Sequence, residues 1–226
     1  MSLTRWPLTE AIRRLRKKYG TPSPLAATDP FEMVLWESCA YLVDDERRKR
    51  VYDRLVAKTG ADPARIAGMR TEVLATLIGP DGGMQPRMRA EKLQRAANLA
   101  LDVGQDELAR LCRSDAAKAR RLLKKFPGIG DPGSDKILMV AGGMKTLGLE
   151  SNGLRVLGRL GFGPVSSDYT RTYRSVSVAT ADQLPTAVAA LIEAHQLLRL
   201  HGKTLCKTGV PLCGECPLAA RCPSAL

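Results

Sequence analysis

The sequence predicts an all-α fold, and three observations support that prediction. Apolar residues recur at intervals of three and four positions through most of the 226-residue chain, which is the period of an amphipathic helix. Residues that commonly cap helices stand in front of several of these segments. Alternating strand patterns are nearly absent, and the weakest helical pattern, 165–178, is predicted to be a loop with one short extended piece.

The helices have recognisable starts and stops along the chain. The first is predicted over 8–19 and ends at Gly20. The second begins at Asp29 and Pro30, because the aspartate can cap a helix and proline suits the first helical position. Further helices are predicted over 45–58, 63–69, 71–78, 87–103, 106–112, 115–125 and 183–200.

The net charge and amino-acid composition of the chain favour some classes of function over others. The formal net charge of +12 suits a polyanionic partner such as nucleic acid. Aromatic residues make up only 4% of the chain, which argues against a base-stacking platform for single strands. No apolar run approaches the roughly 18 residues of a membrane span, and no signal peptide is recognisable. We therefore expect a soluble, monomeric, cytoplasmic protein.

Four cysteines near the end of the chain predict a metal centre. Cys206, Cys213, Cys216 and Cys222 follow the spacing C-x6-C-x2-C-x5-C. Four thiolates this close can hold an iron–sulfur cluster or a tetrahedral zinc ion. Paired cysteines are usual for zinc, and only the second and third form such a pair. Disulfides are a third possibility, which a reducing cytosol disfavours. The residues alone leave all three open.

A glycine-containing turn, Pro127-Gly128-Ile129-Gly130, joins two predicted helices. Glycines let the main chain approach a ligand closely, and amide groups at the start of the following helix can bind a phosphate. Lys124 and Lys125 lie where they can add positive charge. An ordinary helix–turn–helix joint is the alternative.

Together the turn and the cysteine loop resemble the endonuclease III branch of the helix-hairpin-helix DNA glycosylases. The resemblance implies a two-lobed all-α fold, with a six-helix lobe over 22–133 and an iron–sulfur lobe built from 1–21 and 134–226. It implies a [4Fe-4S] cluster on the four cysteines and double-stranded DNA with a lesion or mismatch as the partner. Lys207, beside the cluster, is expected to contact phosphate.

The resemblance also identifies candidate catalytic residues. The lysine that attacks the sugar in bifunctional members corresponds to Pro132, which has no nucleophile. The catalytic aspartate corresponds to Glu150, predicted to stabilise positive charge on the sugar, with Ser151 capping the next helix. Asp131 and Asp135, beside the hairpin, are reserve candidates. A surface acid that only assists capping is the alternative for Glu150.

Three functions remain open on this basis. The first is a monofunctional glycosylase releasing a damaged or mismatched base, with uracil favoured by analogy. The second is a catalytically inactive, structure-specific DNA-binding protein of the same fold. The third is a glycosylase and AP lyase that uses a displaced nucleophile, Lys136 or Lys145.

Two segments are predicted to enter the DNA base stack, by the same resemblance. Tyr41 or Leu42 is expected to fill the space behind an extruded base, with Met84 or Gln85 assisting from the turn-rich loop 78–86. A core position for Leu42 is an equally good interpretation.

The remaining cysteines and the histidines are assigned structural roles. Cys39 and Cys112 stand alone within helical patterns and are predicted to be buried packing residues. His195 is predicted to pack or to form a hydrogen bond, and His201 to act as a cation at a helix end.

Overall fold

The computed structural model describes residues 5–225, and within them it has twelve α-helices and no β-strand. None of these helices is both long and apolar enough to cross a membrane. The helices are α1 Leu8–Tyr19, α2 Pro30–Ser38, α3 Asp45–Thr59, α4 Pro63–Gly68, α5 Thr71–Ile78, α6 Pro86–Val103, α7 Gln105–Ser114, α8 Ala116–Leu123, α9 Asp131–Gly142, α10 Ser151–Arg159, α11 Tyr169–Thr180 and α12 Val188–Thr204.

The all-α prediction is confirmed, and seven of the first eight helices lie within two residues of their predicted bounds. The exception is α2, which begins at Pro30 as predicted but ends at Ser38, whereas it was predicted to include Cys39 and Leu42. Their starts are stabilised as the sequence indicates. Asp29 caps α2, because its Oδ1 accepts hydrogen bonds from the Phe31 and Glu32 amides at 2.8 and 3.3 Å. Asp62 caps α4 by accepting a hydrogen bond from the Ala64 amide.

The predicted loop over 165–178 is wrong, because α11 occupies most of it. Asp168 caps this helix through the Thr170 and Arg171 amides at 2.8 and 3.2 Å. The segment is rich in serine, threonine and valine, whose weak helical propensity hid the pattern. Burial of Tyr173 and Val176 stabilises the helix in spite of that propensity.

The last predicted helix is displaced along the chain. It begins at Val188 and ends at Thr204, four to five residues after the predicted bounds of 183 and 200. Gln183 instead lies in a short 3₁₀ turn, where its Oε1 accepts a hydrogen bond from the Leu8 amide at 2.8 Å. The start of α1 therefore holds Gln183 outside α12.

The chain divides into two compact units. The first unit combines the described residues up to Pro24 with those from Lys145 onward, and the second is Leu25–Met144. Within the second unit, α2 packs against α3, α6, α7 and α9. Residues 134–144, which the sequence assigns to the iron–sulfur lobe, lie in the second unit because α9 is continuous across the predicted boundary and packs on α2, α7 and α8.

The first unit is organised around α12, which packs against α1 and α10. His195 is buried on α12, with its Nδ1 2.6 Å from the Gly148 carbonyl oxygen, so the predicted hydrogen-bonding role is confirmed. The prediction that His201 is a helix-end cation is wrong. Burial lowers the pKa of His201 to about 4, which leaves the ring neutral, and its Nδ1 lies 2.9 Å from the Tyr19 hydroxyl.

Cys39 and Cys112 are fully buried in the core of the second unit, as predicted. Burial raises the pKa of the Cys39 thiol to about 12 and that of the Cys112 thiol to about 11. Both thiols are therefore protonated packing groups rather than reactive thiolates.

Candidate functional site

The four cysteines of the terminal motif line one cavity in the first unit. Its volume is about 310 Å³, including its opening to solvent, and leucine, proline and alanine side chains form most of the remaining wall. Two short 3₁₀ turns shape the loop, so that Cys213 begins one turn and Cys216 and Cys222 each follow one. All four cysteines are free thiols, so the disulfide alternative has no support in the structure.

Two N–H groups of the described residues point toward sulfur atoms. Arg159 Nη1 lies 3.4 Å from Cys206 Sγ, and the Leu218 amide lies 3.4 Å from Cys216 Sγ. Burial raises the pKa of the Cys216 and Cys222 thiols. A buried thiolate is therefore unfavourable here unless a cationic centre replaces the proton, as it does in a metal site.

A zinc ion and an iron–sulfur cluster require different arrangements of the four sulfurs. Tetrahedral zinc requires all four sulfurs at about 2.3 Å from one point. Within residues 5–225, no three cysteine, histidine or acidic side chains are placed to hold one metal ion. In an iron–sulfur cluster each thiolate binds a different iron, so the ligands stand further apart around a larger volume. The four cysteines that line this cavity supply the number and type of ligands that a [4Fe-4S] cluster needs.

Glu150 caps α10, and both of its carboxylate oxygens accept hydrogen bonds. Its Oε1 accepts from the Gly153 amide at 2.9 Å, and its Oε2 accepts from Asn152 Nδ2 at 2.8 Å. The prediction that Ser151 is the cap is wrong, since Ser151 is the first residue of the helix. The carboxylate is half-buried and has a fixed orientation at the positive end of a helix.

A hydrogen-bonded chain connects Glu150 with the first cysteine. Asn152, which donates to Glu150, accepts through its Oδ1 from Arg155 Nη2 at 2.8 Å. Arg155 also donates to the Gly202 and Cys206 carbonyl oxygens at 2.8 and 2.9 Å. No sequence pattern indicated a role for Asn152 or Arg155. Their spacing of three residues places them on the same face of α10, but it does not show which distant backbone carbonyls Arg155 contacts.

Tyr169, at the start of α11, is a second residue near Glu150 that no sequence pattern indicated. Its hydroxyl is 3.4 Å from the Leu149 carbonyl oxygen, and its ring stacks on the buried ring of Tyr173. Burial raises the pKa of Tyr169 to about 12, and the negative charge of Glu150 adds to the shift. A neutral phenol, 44% exposed, therefore stands beside the carboxylate.

The hairpin joins α8 to α9 in the second unit. Gly128 has a φ of +89°, a conformation that glycine adopts without strain. Ser38 donates a hydrogen bond to the Pro127 carbonyl oxygen at 3.3 Å and so holds the turn against the end of α2. Gly130 precedes α9 without a capping side chain, and the first-turn amides of such a helix have no partner within the helix.

The charged residues beside the hairpin have different surroundings. Lys124 pairs with Asp131 at 2.6 Å, while Lys125 is exposed. Asp135 is buried and accepts a hydrogen bond from Arg120 Nε at 2.9 Å. Both reserve acids lie in the second unit, in ion pairs that hold the hairpin helices, whereas Glu150 lies in the first unit.

Two loops of the second unit form a structure that we call the loop pair, residues 39–44 and 79–85. The Tyr41 amide donates to the Gly82 carbonyl oxygen at 3.1 Å. At Gly83 the backbones approach so closely that a Cβ atom would lie 2.3 Å from the Tyr41 carbonyl oxygen. The structure thus brings together the two segments that the sequence predicts to enter DNA.

Exposed apolar side chains occupy this loop pair. Leu42 is 78% exposed and Met84 is 66% exposed, so a core position for Leu42 is excluded. Leu42 and Gln85 have φ values of +53° and +58°, which are costly for residues with a Cβ. Tyr41 is half exposed, and the Arg89 guanidinium lies 4.9 Å from its ring centroid. Strain retained at exposed apolar residues is typical of a functional surface.

No protein-family model matches the chain, but individual proteins do. Endonuclease III from Escherichia coli K12 is 24% identical over 94% of the chain and 93% of its own length. Endonuclease III from Sulfolobus acidocaldarius is 29% identical over 48% of the chain, a match that spans about half (46%) of that relative.

Solved structures have the same fold along nearly the whole chain. A trapped endonuclease III–DNA covalent intermediate aligns with a TM-score of 0.75 at 22% identity, covering 99% of this chain and 97% of that one. A thermostable thymine-DNA glycosylase aligns with a TM-score of 0.75 at 16% identity, covering 97% and 96%. The predicted resemblance to endonuclease III-like helix-hairpin-helix proteins, and the fold that it implies, are confirmed.

Proposed function

We propose that this chain, which has the endonuclease III-like helix-hairpin-helix fold, is a monofunctional DNA glycosylase. It hydrolyses the N-glycosidic bond of a damaged or mismatched base in double-stranded DNA and leaves the abasic site intact. The observation that carries the proposal is Glu150, a carboxylate held by two N–H donors at the position that corresponds to the family's catalytic aspartate.

The hairpin and the loop pair supply the contacts to DNA. Amides at the start of α9 bind a backbone phosphate, supported by the helix dipole and by Lys125. Leu42 and Met84 enter the base stack, which removes the target base from the duplex before its sugar bond can react. Lys207, exposed beside the cysteine cavity, adds a phosphate contact from the first unit.

Glu150 carries the chemical step. As the bond to the base breaks, its electron pair leaves with the base and positive charge builds on the sugar. The fixed carboxylate stabilises that charge, and water adds to the sugar and loses a proton, which balances the proton gained by the departing base. Because Asn152 and Gly153 fix the carboxylate before the reaction, little reorganisation is needed in the transition state.

A [4Fe-4S] cluster would be held by Cys206, Cys213, Cys216 and Cys222, which line the cysteine cavity. With such a cluster bound, these four cysteines would be cross-linked and the loop that follows α12 would be held in one conformation. Arg155 then connects that loop to the start of α10, because it donates to the Cys206 carbonyl and to Asn152.

The two lysines of the glycosylase–lyase alternative have different surroundings. Lys136 is 15% exposed and pairs with Glu37 at 2.7 Å, so its amine is enclosed in an ion pair rather than free to attack a sugar. Lys145 is exposed and lies five residues before Glu150. The glycosylase–lyase alternative therefore depends on Lys145, and the inactive DNA-binding alternative depends on the observation that Glu150 also serves as a helix cap.

A substrate panel tests the proposal. Duplexes carrying uracil, a thymine mismatch, an oxidised pyrimidine, adenine opposite oxidised guanine or an alkylated base are each incubated with the chain. We expect base release from at least one duplex, uracil being favoured, without strand cleavage at the abasic site. Binding of these duplexes without any base release would support the inactive DNA-binding alternative.

Borohydride trapping separates the two catalytic alternatives. Only an amine that forms an imine with the abasic sugar can be captured on the DNA. We expect no covalent adduct from the wild-type chain. An adduct that disappears in Lys145→Ala would establish lyase chemistry instead.

A further inference from the structure

Arg89, at the start of α6, is a buried cation. It is only 6% exposed, its Nε donates to the Met84 carbonyl oxygen at 3.2 Å, and its guanidinium faces the Tyr41 ring. A guanidinium has five N–H donors and keeps its charge at any ordinary pH. Among residues 5–225 no carboxylate lies within 4 Å of it. A buried charge of this kind is costly unless a ligand compensates it.

Arg48, on α3, adds a second positive charge at the end of α2, the helix that leads into the 39–44 loop. Its Nη1 donates to the Trp36 and Glu37 carbonyl oxygens at 2.9 and 3.4 Å, and it too has no carboxylate within 4 Å in the described part of the chain. Burial lowers the pKa of Arg89, and repulsion from Arg48 adds to that effect. The two arginines flank the 39–44 loop of the loop pair, and neither forms an ion pair with a carboxylate among the described residues.

We propose that Arg48 and Arg89 form a binding site for a DNA backbone phosphate next to the loop pair. The proposal rests on the proposed function, since it requires that Leu42 and Met84 enter a duplex. A phosphate matches the planar donor fork of a guanidinium and supplies the missing negative charge. A neutral base edge would leave two charges uncompensated.

Two neighbouring arginines of α3 provide a comparison, because both form ion pairs with a carboxylate. Arg50 and Arg54 donate to Asp81 at 2.9 and 2.8 Å, and Arg54 also donates to the Leu77 carbonyl oxygen at 2.9 Å. These contacts hold the 79–85 loop against α3. Arg48 and Arg89 make no such ion pair with a residue that the structure describes, so their charge is available to a ligand.

Substitution of Arg89 by methionine tests the site. Arg89→Met should weaken duplex binding roughly tenfold to a hundredfold, as expected for a lost charged hydrogen bond. The slope of log affinity against log salt should fall by about one, equally for every lesion and every opposite base. Thermal stability should be unchanged or higher, because the variant no longer buries an uncompensated charge. Arg48→Met should act in the same direction.

Arg110→Met is the matched control, because Arg110 is exposed on α7 and already pairs with Glu107 at 2.6 Å. It should change duplex affinity by less than about threefold. The proposal is overturned if Arg89→Met binds with unchanged affinity and slope, if its loss of binding accompanies a lower melting temperature, or if its effect depends on the opposite base. Failure of the wild-type chain to bind any duplex would instead overturn both this site and the proposed function.

Discussion

The surroundings of Glu150 and those of the loop pair differ in how completely their polar and charged groups are paired. Around Glu150 each carboxylate oxygen accepts a hydrogen bond, and Asn152 and Arg155 continue the network to the Cys206 carbonyl. In the loop pair, Leu42 is exposed in a strained conformation, and beside it Arg89 is buried with no anion from residues 5–225. The first arrangement fixes a group in place, whereas the second leaves interactions to be completed by a ligand.

Under the proposed function, this difference corresponds to a catalytic role for the Glu150 region and a DNA-binding role for the loop pair. A carboxylate that stabilises a transition state acts best when its geometry is fixed in advance. A surface that enters DNA gains binding energy only if its favourable contacts are absent from the free protein. An exposed leucine and a cation without an ion-pair partner offer contacts of that kind, and a backbone already held in position lowers the ordering cost of binding. If the two regions have these roles, substitutions in them should have different consequences.

The largest effect is expected from Cys206→Ala. Removing one of four ligands should abolish cluster binding, so the variant should lose nearly all of its iron and its visible absorption. The matched control is Cys112→Ala, which removes a buried thiol of the second unit and should keep the full iron content. Equal iron in both variants, or zinc in the wild-type chain, would contradict the cluster assignment.

Glu150→Gln should slow base release about 10²- to 10³-fold, because it removes the negative charge that stabilises the developing sugar cation. Duplex affinity should change little, since the amide oxygen of the new glutamine would still accept a hydrogen bond from the Gly153 amide. Single-turnover base release and equilibrium binding measure the two quantities separately.

Asp168→Asn is the control for that variant. Asp168 is also an acidic cap in the first unit, and it accepts hydrogen bonds from the Thr170 and Arg171 amides. If capping alone explains Glu150, both variants should lose stability and activity to the same extent. Slow base release confined to Glu150→Gln would separate the chemical role from the structural one.

The positions of the motifs could be predicted from the sequence, but the residues that contact them in the folded chain could not. The cysteine spacing and the Pro127–Gly130 turn are local patterns, so both could be located from the order of residues alone. The partners of Glu150 could not, because Arg155 reaches carbonyl oxygens about 50 positions away in the chain. Helix α11 was missed for a related reason. Its local propensity is weak, and packing of Tyr173 and Val176 in the first unit decides the fold.

Gly83→Ala should destabilise the second unit by disrupting the loop pair. The φ of +83° costs about 1–2 kcal/mol for a residue with a Cβ. The added Cβ would also lie 2.3 Å from the Tyr41 carbonyl oxygen, which adds about 1–3 kcal/mol of overpacking. Gly60→Ala is the matched control, because Gly60 has a φ of +67° and no atom within 4 Å of its Cβ position. Denaturant unfolding of both variants isolates the cost of the contact.

The smallest effect, and the most direct test of stored strain, comes from two substitutions of Leu42. Leu42→Ala keeps the positive φ and removes the side chain, whereas Leu42→Gly also relieves the backbone strain. Base release should fall about tenfold in both, because part of the roughly 1.5–3 kcal/mol from burying a leucine between bases is lost. Only Leu42→Gly should be more stable than the wild-type chain, by about 0.5–1 kcal/mol, after the entropy cost of glycine is subtracted. Equal stability of the two variants would mean that the strain at Leu42 is not stored in the free protein, and full activity of either would remove Leu42 from the DNA-entering surface.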